Sequence, residues 1–202
     1  KSRLVHEFLA SPSMSSWTLR VAAASPHGKR TPYLPLRQLL RAIIGAQADD
    51  TADQIALRLT AHLMDLGEGT QVLRAPLLAL LDQEPNDTDW ALLEPSGRRR
   101  RVIEAMCELA LARARSGPLL FVLEDLHWVD EETQEVLERL ADSVGAVAML
   151  LLTTSRPEHR STWYGKSYFV PVHLRDINAT DVRRLLDEFL GTDSSLDQLR
   201  AE

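Results

Sequence analysis

An α/β fold built on a mainly parallel sheet is what this sequence predicts, on three observations. The stretch Leu119-Leu120-Phe121-Val122-Leu123 follows Pro118 and closes on Glu124-Asp125. A continuous apolar run bounded in this way reads as a strand buried on both faces, the habit of parallel sheets. A second run, Val147 to Thr154, has the same character. Around both runs lie segments with apolar residues at helical spacing, and helices alternating with buried strands define the α/β class.

The elements follow in order. Ser2 to Ala10 reads as a helix with Leu4, Val5, Phe8 and Leu9 on one face, broken by Ser11-Pro12-Ser13. Trp17 to Ala24 reads as a strand, closed by Ser25-Pro26-His27-Gly28. Leu34 to Ile44 is apolar at helical spacing and stops at Gly45. Thr51 to Leu66 and Gln71 to Leu81 are two further helices, parted by Gly67-Glu68-Gly69. Asp82 to Gly97 is an acidic loop interrupted by Trp90-Ala91-Leu92-Leu93, and Arg98 to Arg115 is a long helix leading into the first buried run. After that run, Asp130 is placed to N-cap a helix whose first turn carries Glu131 and Glu132, where the helix dipole favours acids. Tyr168 to Leu174 reads as a short strand at an edge or a discontinuity, because Pro171 lies inside it. Asn178 caps a last helix, Ala179 to Leu190, which stops at Gly191.

Composition bounds the function. With 202 residues, 45% of them apolar, the chain can bury a sizeable core and make one domain plus the edge of another. A formal net charge of −6 repels nucleic acid and anionic membranes, so no direct contact with either is expected. The single cysteine, Cys107, leaves no disulfide framework within the chain, suits a reducing cytoplasm and is expected in helix packing. The longest apolar stretches are far too short to cross a bilayer. The six histidines and one cysteine show no metal-ligand spacing. Arg98-Arg99-Arg100-Arg101 is read as a solvated helix face rather than an anion site.

Two clusters carry chemistry. Lys1-Ser2 at the head of a helix has the form of the last two residues of a phosphate-binding loop, G-x-x-x-x-G-K-[S/T]. Helix N-termini attract phosphate. Lys1 is therefore expected to bridge β- and γ-phosphates as a mobile point charge, and Ser2 to offer its hydroxyl to Mg²⁺. The loop's glycines would precede Lys1, so the chain is expected to begin inside the loop. Glu124 and Asp125 end a parallel strand, where open α/β sheets bind ligands. In a nucleotide-binding protein, one carboxylate there holds Mg²⁺ and the other can orient the attacking water. The Glu-then-Asp order leaves open which does which. Arg156 ends the next strand on the same edge and can read a γ-phosphate with its forked donors, with Thr153 and Thr154 positioning it or the water. His127 and Trp128 are expected to pack the turn after the acids rather than to catalyse.

The string LLFVLEDLHWVD (119–130) resembles the Walker B segment of STAND-type, AAA-like P-loop ATPase modules. Such modules occur in large bacterial regulators beside class III nucleotide cyclase, LuxR-type DNA-binding, kinase and helical-repeat domains. KSRLVHEFLA (1–10) resembles the end of Walker A with its helix, and residues 25–45 the segment after the second strand. Residues 98–114 resemble the helix before Walker B, LLLTTSRPEH (150–159) the fourth strand with its sensor Arg, and residues 172–191 the exit from the core.

The resemblance implies a P-loop NTPase three-layer sandwich lacking its first strand and glycine loop, over residues 1–175. The start of a helical lid or winged-helix-side subdomain would occupy 176–202. It implies ATP and Mg²⁺ as cofactors, with Glu124, Asp125 and Arg156 catalytic, Lys1, Ser2, Arg3 and Thr154 contacting nucleotide, and Ser2, Glu124 and Asp125 around the metal. It implies a slowly hydrolysing regulatory switch whose partners are the nucleotide and output and helical-repeat domains outside this stretch, with oligomerisation possible. Two rivals stand beside it: a nucleotide-locked scaffold without turnover, and a DNA-associated ATPase of the initiator type, which predicts a basic wing not visible by Glu202. In the usual strand order, the strands at Leu150 and Phe169 would flank a gap and leave backbone groups unpaired. Poor stability of the stretch by itself is the expectation.

Overall fold

A computed structural model describes residues 1–26, 31–174 and 178–190. The chain divides into two compact units, the first Lys1–Phe169 and the second beginning at Val170. The expected boundary at Asp176, the closing residues His27-Gly28 and the stop at Gly191 lie outside the described residues.

The first unit is organised by a parallel three-stranded sheet in the order β1 (Thr18–Ala23), β2 (Leu119–Glu124), β3 (Met149–Thr153). Its register pairs Thr18 with Leu119 and Leu119 with Met149. β2 is central, and its five apolar residues are buried, as the unbroken run requires. Alternation sends them to opposite faces. Leu120 and Val122 meet α1 (Ser2–Leu9) through Val5, with Phe8, Leu9, Trp17 and Leu152 around them. Leu119, Phe121 and Leu123 join a much larger core on the other face. That core is built from α2 (Leu34–Ile43), α3 (Ala52–Leu66), α4 (Arg74–Leu80), α5 (Thr88–Ala91), α6 (Pro95–Ser116) and α7 (Glu131–Ser143). The second unit holds α8 (Ala179–Leu190), whose first turn Asn178 caps by accepting the Asp181 N–H at 2.9 Å.

Local chemistry sets the element ends. Thr51 and Gln54 form a reciprocal capping box on α3, at 3.3 and 2.7 Å. Asp130 caps α7 as expected: its carboxylate accepts the Thr133 N–H at 2.9 Å and the Thr133 hydroxyl at 2.7 Å.

Four expectations are corrected. The helix expected from Gln71 opens as a 3₁₀ turn, Thr70–Leu73, and becomes α-helical only at Arg74, because Gly69 at φ 91° feeds it from the left-handed region. The long helix starts at Pro95, three residues earlier than Arg98; proline suits a first turn, having no N–H to satisfy. The acidic loop contains α5, capped by Asp87 and anchored by Trp90, which is buried under the Arg98 guanidinium at 5.8 Å. Residues 168–174 form no strand: Pro171 offers no N–H to a ladder, and Val170 and Val172 are exposed rather than buried on a sheet face.

Candidate functional site

The site is assembled at the carboxyl ends of the strands. Val5 seats α1 against Leu120 and Val122, and this docking brings the head of α1 to the end of β2. There the Ser2 hydroxyl donates to Glu124 Oε2 at 2.8 Å. The Lys1 ammonium donates to the Ser155 carbonyl at 2.7 Å, just past β3. Residues from the head of α1, the end of β2 and the loop after β3 therefore converge.

Asp125 follows Glu124 in the left-handed region, at φ 59° and ψ 47°. A non-glycine residue there is uncommon, and Asp is among those that tolerate it. The conformation is fixed from outside the turn. Asp125 N–H donates to Thr154 Oγ1 at 3.0 Å, Leu126 N–H to the Thr154 carbonyl at 2.9 Å, and Thr154 N–H to the Leu123 carbonyl at 3.0 Å. Thr154 thus sews the acid turn to the end of β3. The Asp125 carboxylate stays half exposed, with His127 Nδ1 4.0 Å from its Oδ1. Strained residues held by their surroundings cluster at functional sites.

Arg156 is exposed, and its guanidinium lies over the Trp128 ring, 5.7 Å from the centroid. The expectation for Trp128 was packing of its turn; its contact with Arg156 has no signature in the sequence, since 28 positions separate the two. The Ser155 carbonyl is likewise invisible beforehand, because any residue type supplies one. Arg3 is directed along α1 to Glu7, at 2.8 Å, and does not join the group.

The arginine run is absorbed by carboxylates and packing. Arg99 meets Glu132 and Glu135 of α7 at 3.7 and 3.5 Å, and Arg100 and Arg101 meet Glu104. Cys107 is buried, its thiol pushed up to about 12 by desolvation, so it is an inert packing group.

Hydroxyl and carboxylate oxygens are hard donors of the kind Mg²⁺ prefers, and an ammonium beside them suits phosphate. The described residues contain no group of three or more His, Cys, Asp or Glu able to cage a metal. Ser2 and one or two of these carboxylates would be the residues to hold an Mg²⁺ ion, which would supply charge neutralisation to a bound phosphate. Two clefts of about 360 and 420 Å³ border residues 82–84 and share none of these side chains. No helix among the described residues is long and apolar enough to cross a membrane.

A family model described as "AAA ATPase domain" matches residues 1–152 of the 202. An uncharacterized protein of Rhizobium meliloti (strain 1021) is 29% identical over 90 residues, which is 45% of this chain and 9% of that protein's length. No solved structure matches the chain.

Proposed function

The chain belongs to the AAA ATPase domain family, and from that premise we propose that it binds Mg-ATP where α1 meets the ends of β2 and β3 and hydrolyses it slowly. Family membership makes it a nucleotide-binding ATPase module with a P-loop α/β fold. The observation that carries the finer reading is the Ser2–Glu124 hydrogen bond beside the Lys1 ammonium. It joins groups 122 positions apart at the sheet edge where ligands bind.

In this reading Lys1 leaves the Ser155 carbonyl to bridge β- and γ-phosphates as a point charge. Ser2 and one of Glu124 and Asp125 hold Mg²⁺, which supplies charge neutralisation on the phosphates. The other carboxylate orients water. Asp125 is favoured for that task, since its carboxylate is half exposed while Glu124 already accepts from Ser2. Arg156 reads the γ-phosphate with its forked donors. Thr154 holds the Asp125 turn by accepting its N–H at Oγ1, which leaves the hydroxyl hydrogen for the nucleotide. The acid order departs from the Asp-first pattern common among P-loop ATPases and fits slow turnover. Slow turnover suits a STAND-type switch, in which nucleotide state biases the arrangement of this module against further domains of a signalling or transcription-regulating protein.

The test is Mg-ATP affinity of the full-length protein with and without Lys1→Ala. A loss of at least about tenfold is expected; unchanged affinity would remove Lys1, and with it this site. Asp125→Asn then separates switch from scaffold. An ATPase loses phosphate release in this variant while still binding nucleotide, whereas a scaffold has no release to lose.

A further inference from the structure

We propose that Trp128 is a positioning residue for Arg156, its indole face holding the guanidinium at the acid turn so that nucleotides bearing a γ-phosphate are preferred over those without one. The inference rests on the reading of this edge as a nucleotide site and names how that site tells ATP from ADP.

The geometry is built at two levels. At the backbone, Thr154 uses its N–H, its carbonyl and its hydroxyl to bind residues 123–126, at 3.0, 2.9 and 3.0 Å. The segments carrying the ring and the guanidinium are thus fastened together. Trp128 closes the 3₁₀ turn Leu126–Trp128, its N–H donating to the Asp125 carbonyl at 2.9 Å, so the ring is tied to the strained acid. At the side chains, the His127 imidazole lies against the indole, centroids 4.9 Å apart and tilted by 46°. The Arg156 guanidinium lies over the indole at 5.7 Å, within cation–π range. An exposed arginine loses rotamer freedom when it meets a ligand. A ring that already confines it removes part of that penalty, and the benefit reaches only ligands that Arg156 touches.

The experiment measures ATP and ADP affinity of the full-length protein for wild type, Trp128→Ala, Trp128→Phe, Arg156→Ala and the Trp128→Ala/Arg156→Ala double variant. Trp128→Ala is expected to weaken ATP roughly three- to tenfold, the factor an exposed to partly desolvated cation–π contact carries. ADP should be unchanged, and Trp128→Phe, which keeps a ring face, should recover most of the loss. The double variant should be no worse than Arg156→Ala alone, because Trp128 acts through Arg156. Equal losses for ATP and ADP would mean that Trp128 merely props up the turn, and additive losses would mean that it acts elsewhere; either overturns the proposal. If Lys1→Ala weakens both nucleotides while Trp128→Ala leaves their ratio untouched, only the role of Trp128 falls. If wild type binds neither nucleotide, the role and the site fall together.

Discussion

His62, on α3, is partly buried, and its Nε2 is buried without a hydrogen-bond partner. Desolvation, helped by the nearby Arg113 guanidinium, holds its pKa below the ordinary 6.5, with Asp65 pulling weakly the other way. The lowered folded-state value fixes the sign of the pH response. Above 6.5 the residue is neutral in both folded and unfolded chains and costs nothing. Below 6.5 the unfolded chain takes up a proton that the folded chain resists, so stability falls until the pH drops beneath the folded value. Urea midpoints are therefore expected to fall between pH 7.5 and pH 5.5, and His62→Gln should shrink that fall. An unaltered pH profile in the variant would exonerate His62. At this scale the sequence was readable where a residue's type limits its use. Asp130 before an amphipathic run could do little but cap. Glu124 and Asp125 at the end of an apolar strand had to face solvent or a ligand. Contacts of Arg156 and Lys1 were not readable, because long flexible cations reach whatever the folded chain puts near them.

Among elements, α7 is the one whose start matters most, since it follows directly on the acid turn. Both Asp130 oxygens are engaged, by the Thr133 N–H and by its hydroxyl, and Asp130 and Thr133 are both buried. Replacing Asp130 with Ala removes the cap and strands a buried hydroxyl. The expected cost is roughly 1–2 kcal/mol in chemical denaturation, the upper part of the range for lost caps. Asp130→Asn, which keeps the acceptor for the Thr133 N–H, should recover more than half. Equal losses from the two substitutions would show that the carboxylate charge matters rather than the cap. Helices and buried strands were legible because their periods differ and their ends carry caps, glycines and prolines. The exceptions have physical causes. A four-residue helix such as α5 is too short to show a period. The 3₁₀ opening before α4 depends on backbone angles at Gly69. Residues 168–174 have strand-like composition, but composition supplies no neighbour to pair with, and Pro171 weakens any ladder.

For the whole first unit, the decisive feature is that the two faces of the sheet are unequally covered. On one face Phe121, Leu119 and Leu123 are sealed in the core that the six helices α2 to α7 build. On the other, among the described residues, the fully buried packing is Val5 of α1 on Leu120 and Val122, with Phe8, Leu9, Met14, Trp17 and Leu152 only partly buried around it, while Leu19, Val21 and Leu150, which share that face by register, stay 36–42% exposed. Apolar burial is the main source of stability, so α1 is the more weakly held layer. It is also the layer that carries Lys1 and Ser2. Hydrogen exchange without nucleotide should show α1 amides opening at lower free energy than those of β2 and α6. A ligand gripping Lys1 and Ser2 on one side and Glu124 and Asp125 on the other would cross-link α1 to β2. Mg-ATP is then expected to slow exchange in α1 while leaving β2, already protected by its core, unchanged. If α1 is as protected as β2 before nucleotide is added, the unequal-layer account is wrong. If α1 is labile and Mg-ATP does not protect it, the ligand is not spanning the α1–β2 junction.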